Sequence, residues 1–139
     1  MEIADVRKRV NETMERAKRR AAERRARGDE AGRAFDEFLQ RTAVPLFRQV
    51  ANVLRADSYP FNVFTPPGSV RLMSDRRAED YIEVSLDTTS EAPQVIGHAS
   101  RSRGGRVLES EQALGEPGSI DDEDLLAFVL KALEPFVER

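Results

Sequence analysis

The sequence predicts an α+β fold: an N-terminal helical pair, a four- to five-stranded antiparallel meander and a C-terminal helix packed on one sheet face. Two central runs, 81–86 (YIEVSL) and 94–99 (QVIGHA), alternate apolar and polar residues with the period of half-buried strands. A third run, 106–109, follows directly on Gly104-Gly105. A Gly-Gly pair between alternating runs suits a tight hairpin, because primed turns need positive φ at both central positions. Before and after this stretch, apolar residues recur at steps of three and four, as they do on one face of a helix.

Residues 1–27 read as one helix. Ile3, Val6, Val10, Met14, Ala17 and Ala21 form a narrow apolar stripe. Four acid–base pairs at the favourable i,i+4 order (Asp5/Arg9, Glu12/Arg16, Glu15/Arg19, Glu23/Arg27) support helix even where it is solvated. Gly28 suits a C-cap, with Arg24, Arg25 and Arg27 near the negative end of the dipole. The stripe dwindles to alanine along its length, so the half from Lys18 to Arg27 is expected to project.

A second helical segment, 30–56, carries Phe35, Phe38, Leu39, Ala43, Leu46, Phe47, Val50, Val53 and Leu54 on one face, which is expected to lie across the sheet. Pro45 interrupts it. Either the helix kinks there, or Thr42 caps a fresh helix with Pro45 in its first turn. Residues 61–64 and 69–73 flank Thr65-Pro66-Pro67-Gly68 as a hairpin, its first strand an edge because of Pro60. Residues 113–120, with two glycines and a proline, read as loop. The last helix opens on Asp121-Asp122-Glu123-Asp124 and presents Leu126, Val129, Leu130, Leu133 and Val137 as its face; Pro135 is expected to fray or kink its end. The division expected is a basic amphipathic arm, 1–28, and a single α+β domain, 29–139.

Composition narrows the functions. At 139 residues, with 40% apolar and 34% charged residues, the chain suits one globular domain. It has no cysteine and one histidine, which excludes disulfides, thiolate chemistry and multi-histidine metal sites within the chain. No metal or other cofactor is expected. No apolar run reaches membrane-span length and no signal-peptide pattern opens the chain, so a cytoplasmic protein without membrane contact is expected. The net charge of −3 is unevenly divided. Residues 1–27 hold ten Lys/Arg against five Asp/Glu, or +5, and the remainder twelve against twenty, or −8.

Catalytic signals are weak. His98 has Ser100 nearby, but residues two apart on a strand share a face without making a nucleophile–base–acid array. Asp87 and Glu109 are its candidate cross-strand partners. The four acids at 121–124 lack the alternate spacing and glycine of a calcium loop and fit helix capping, with Asp121 as N-cap. Gly104-Gly105 lacks the lysine and hydroxyl residue of a phosphate loop.

Two stretches remain. The arm cations Arg16, Arg19, Arg20, Arg24, Arg25 and Arg27 are candidates for contact with a partner or with nucleic-acid phosphates; no aromatic accompanies them for base stacking. Tyr59, Phe61 and Phe64, among three prolines, are candidates for a ligand or peptide groove, against the plainer reading that they fill the core. The function expected is a non-enzymatic interaction or adaptor domain, a homo-oligomer and most simply a dimer, joined through the N-terminal helix or the open sheet face. The alternative is a nucleic-acid-binding accessory protein.

Overall fold

The computed structural model describes residues 1–138. In chain order they form α1 (Ile3–Phe38), a π-helical turn (Leu39–Ala43), α2 (Val44–Ala56), β1 (Phe61–Phe64), β2 (Ser69–Ser74), β3 (Tyr81–Asp87), β4 (Gln94–Arg103), β5 (Arg106–Gly115), a 3-10 turn (Pro117–Ser119) and α3 (Asp122–Glu138). The five strands make one antiparallel meander in sequence order, with β1 and β5 at its edges. The α+β class and the meander are as the sequence predicts.

The first helix does not stop at Gly28. It runs 36 residues to Phe38, through Gly28 and Gly32. Glycine in a helix interior costs about 1 kcal/mol relative to alanine, and the burial of Phe35 and Phe38 in the following turns outweighs that cost. Pro45 falls at the start of α2, where a missing N–H is tolerated. The ring still crowds the preceding turn, and the chain widens into a π-helical turn there. Thr42 is therefore within continuous helix and caps nothing.

One core holds the fold together. Alternate strand residues (Phe61, Val70, Leu72, Ile82, Val84 and Val95 among them) join Phe35, Phe38, Phe47, Leu54, Leu125, Phe128, Leu133 and Phe136 in a single buried cluster. Register makes this set coherent: Val63 stands opposite Leu72, Leu72 opposite Ile82 and Ile82 opposite Ala99, so this row is apolar from β1 to β4. The rings of Phe61 and Phe136 meet edge to face at 5.6 Å, clipping the first edge strand to α3. Gly97 is required by close packing, since a Cβ there would lie 2.4 Å from the tip of the Phe128 ring.

The strands β4 and β5 extend beyond the expected runs, to Arg103 and Gly115, so residues 113–115 are strand and not loop. Gly104 and Gly105 both have positive φ, 57° and 78°, as the hairpin between them requires. Asp80, only 1% exposed, fixes the β2–β3 connection. Its carboxylate accepts the Ser102 backbone N–H at 2.8 Å and hydroxyl at 3.1 Å, and its carbonyl accepts the Ser74 N–H.

One helix face differs from that expected at its edge and another is turned. In α2, Ala51 is buried and Val53 is 63% exposed. In α3, the buried residues are Leu125, Phe128, Val129, Leu133 and Phe136, while Leu130 and Val137 point outward. That helix is apolar on more than half its circumference, and the two phenylalanines decide which part turns inward because they fill the most core volume. Pro135 sits within α3, which continues to Glu138. The expected acid cap is present: Asp124 donates its N–H to Asp121, whose own N–H is accepted by the Asp124 carboxylate.

Candidate functional site

Residues 3–20 of α1 are exposed throughout. The helix is anchored at its far end, where Phe35 and Phe38 enter the core. At 1.5 Å per residue, Ile3 to Ala21 forms a spur roughly 27 Å long. Ile3 is 79% exposed, and Val6, Val10 and Met14 are each 43% exposed or more. At 100° per residue these four line up with Ala17, Ala21, Gly28 and Phe35. The uncovered stripe therefore continues the face by which the same helix joins its own body.

The charges around that stripe are ordered. Arg7, Lys18 and Arg25 border it on one side, and Arg9, Arg20 and Arg27 on the other. The acids Asp5, Glu12 and Glu23 lie on the back of the helix. None of the four anticipated i,i+4 ion pairs closes among the described residues; in the arm only Lys18 approaches Glu15, at 4.0 Å. Arg16 instead donates to the Thr13 hydroxyl. Exposed pairs gain little in water, which leaves the cations available to a partner.

All six candidate arginines (Arg16, Arg19, Arg20, Arg24, Arg25 and Arg27) are exposed. They do not converge on one spot, because their spacing spreads them around the helix. The part that stands clear is the N-terminal half and not the half from Lys18 to Arg27: Arg24 and Arg25, with Ala21, border a depression of about 630 Å³ whose opposite wall is the β3–β4 loop, Thr88 to Glu91. That loop is folded on Asp87, whose carboxylate accepts the Thr89 hydroxyl at 2.6 Å and N–H at 2.9 Å. These two bonds hold the Asp87 carboxyl below its ordinary pKa, the side-chain bond contributing most.

The aromatic candidates separate. Phe61 is buried in the core, and with the partly buried Tyr59 it borders a shallow cavity of about 290 Å³. Phe64 is 43% exposed and, three residues along β1, faces the other side of the sheet. The three do not line a common groove.

That second sheet face carries a polar ladder. Arg71 donates to Glu83 at 2.7 Å and stacks over Tyr81 at 3.9 Å; the Tyr81 ring in turn stacks on His98 at 5.7 Å. His98 Nδ1 lies 3.4 Å from Glu111 and Nε2 3.6 Å from Glu109. Glu109 is one of the expected partners; Glu111, directly opposite in register, was not, and Asp87 pairs with Gln94 instead. This arrangement orders cross-strand neighbours. No cluster of three or more potential metal ligands occurs among the described residues.

A second exposed apolar stripe emerges only in three dimensions. Leu130 (54% exposed) and Val137 (48%) share the outward face of α3 with the half-buried Leu126. Glu123, Glu134 and Glu138 border its solvent side. Its sequence signal was the excess of apolar residues in α3 over what one buried face needs.

Compared with protein-family models, curated proteins and solved structures, the chain gives no match. No helix among the described residues is long and apolar enough to cross a membrane.

Proposed function

We propose that the protein is a non-enzymatic interaction module that self-associates through its N-terminal helix, a dimer being the simplest assembly. The observation that carries this reading is the uncovered stripe of Ile3, Val6, Val10 and Met14 on a helix rooted in the core. Side chains of this kind each gain on the order of 1.5–3 kcal/mol when fully buried, and the helix is already formed, so little ordering entropy opposes docking. The intact chain is expected to scatter light at twice or more the 15.6 kDa of one copy. Deleting residues 1–27 returns it to a single-copy mass, and an unchanged mass after deletion overturns the role of the arm.

A second reading, nucleic-acid binding, is supported by the cations bordering the stripe on both sides. It requires that random-sequence DNA or RNA bind at low salt, with affinity falling steeply toward physiological salt and lost on the same deletion. Absence of binding at low salt removes this reading.

A further inference from the structure

We propose that the arm of one copy packs antiparallel against the outward face of α3 in a second copy, and not against its twin arm. The inference rests on the self-association reading above and names the partner surface.

Arm-to-arm pairing meets an electrostatic obstacle. Both borders of the stripe are basic, so bringing two arms stripe to stripe sets Arg7, Lys18 and Arg25 of one copy beside the same kind of border in the other. Like charges at such flanking positions select against a homotypic helix pair. The arm needs an apolar stripe bordered by acids.

The α3 surface is that complement. Asp122–Glu138 carries five acids and one lysine, a net −4, against +5 for residues 1–27. The apolar spacings also match. Ile3, Val10 and Met14 are separated by seven and then four residues; Val137, Leu130 and Leu126, read backwards, are separated by seven and then four. Antiparallel alignment therefore sets Ile3 on Val137, Val10 on Leu130 and Met14 on Leu126 along roughly 16 Å of helix.

Charge independently selects the same direction. Antiparallel, Lys18 comes alongside Glu123 and Arg20 alongside Asp122, and Arg7 lies beside Glu134. Asp121 and Asp124 cap the helix between themselves, and Asp122 and Glu123 remain exposed beside them. In parallel alignment the arginine cluster runs past the end of α3, while the acids at 121–124 lie beyond the start of the arm. One such contact is small, and reciprocal exchange of arms doubles it within a closed pair.

The test is charge reversal in the full chain, read as the dissociation constant by sedimentation equilibrium. Asp122→Lys with Glu123→Lys is expected to weaken assembly by about tenfold or more. Lys18→Glu with Arg20→Glu should do the same. All four changes in one chain should restore most of the loss, which a folding defect would not allow. If the α3 reversal assembles as tightly as the parent while arm deletion still gives single copies, the α3 surface is wrong and self-association through the arm stands. If the α3 reversal weakens assembly but the combined variant does not recover, the arm is not its occupant.

Discussion

Replacing Gly97 by valine is expected to destabilise the fold by about 1–3 kcal/mol, the usual cost of forcing extra volume into a packed core. Valine is the better strand former, so propensity alone predicts the opposite sign. Packing decides it. A Cβ at this position meets Phe128 Cζ at 2.4 Å and Cε1 at 2.6 Å, and Phe128 itself is buried against the sheet. The ring cannot retreat without lifting α3 from β4. The effect should therefore be coupled to that ring: in the Phe128→Ala background the Gly97→Val change loses most of its cost. Urea unfolding of the two single variants and the double variant measures the coupling, and strictly additive losses would show that the clash is not with Phe128.

Phe47→Ala should cost more, about 3–5 kcal/mol. The side chain is fully buried in the first turn of α2 and belongs to the cluster that joins both helical segments to the sheet. A domain of ordinary stability has roughly 5–15 kcal/mol in total, so the melting temperature should fall on the order of 10 °C. Val53→Ala, six residues along the same helix but 63% exposed, should change it little. Equal losses at the two positions would mean that α2 is seated with a different face inward.

How much of this was legible in advance depended on whether the signal was local. The hairpin at Gly104-Gly105, the strand periods, the capping acids of α3 and the helical character of the arm all reside in short-range backbone and side-chain preferences, and each is present in the fold. Glu111 has no local signal that sets it beside His98, because strand pairing, not sequence distance, brings them together. The aromatic groove dissolved for a related reason: Phe61 and Phe64 are close in the chain, yet the pleat sends them to opposite sheet faces. The end of α1 is not legible locally because Gly28 is a local stop signal, and the core residues that override it, Phe35 and Phe38, lie about two to three turns further on.

The sequence by itself determined the fold class, the order of elements and the existence of a basic amphipathic arm, because periodicity, turn chemistry and charge are properties of neighbouring residues. Only the tertiary structure decided which side of each helix was used. In α3, apolar residues cover too much of the circumference for periodicity to choose a face. The large rings of Phe128 and Phe136 settle it by occupying the core, and Leu130 and Val137 are left outside. Which apolar surface remains for a partner is thus fixed by packing volume, a quantity that belongs to the assembled core and not to any one stretch of chain.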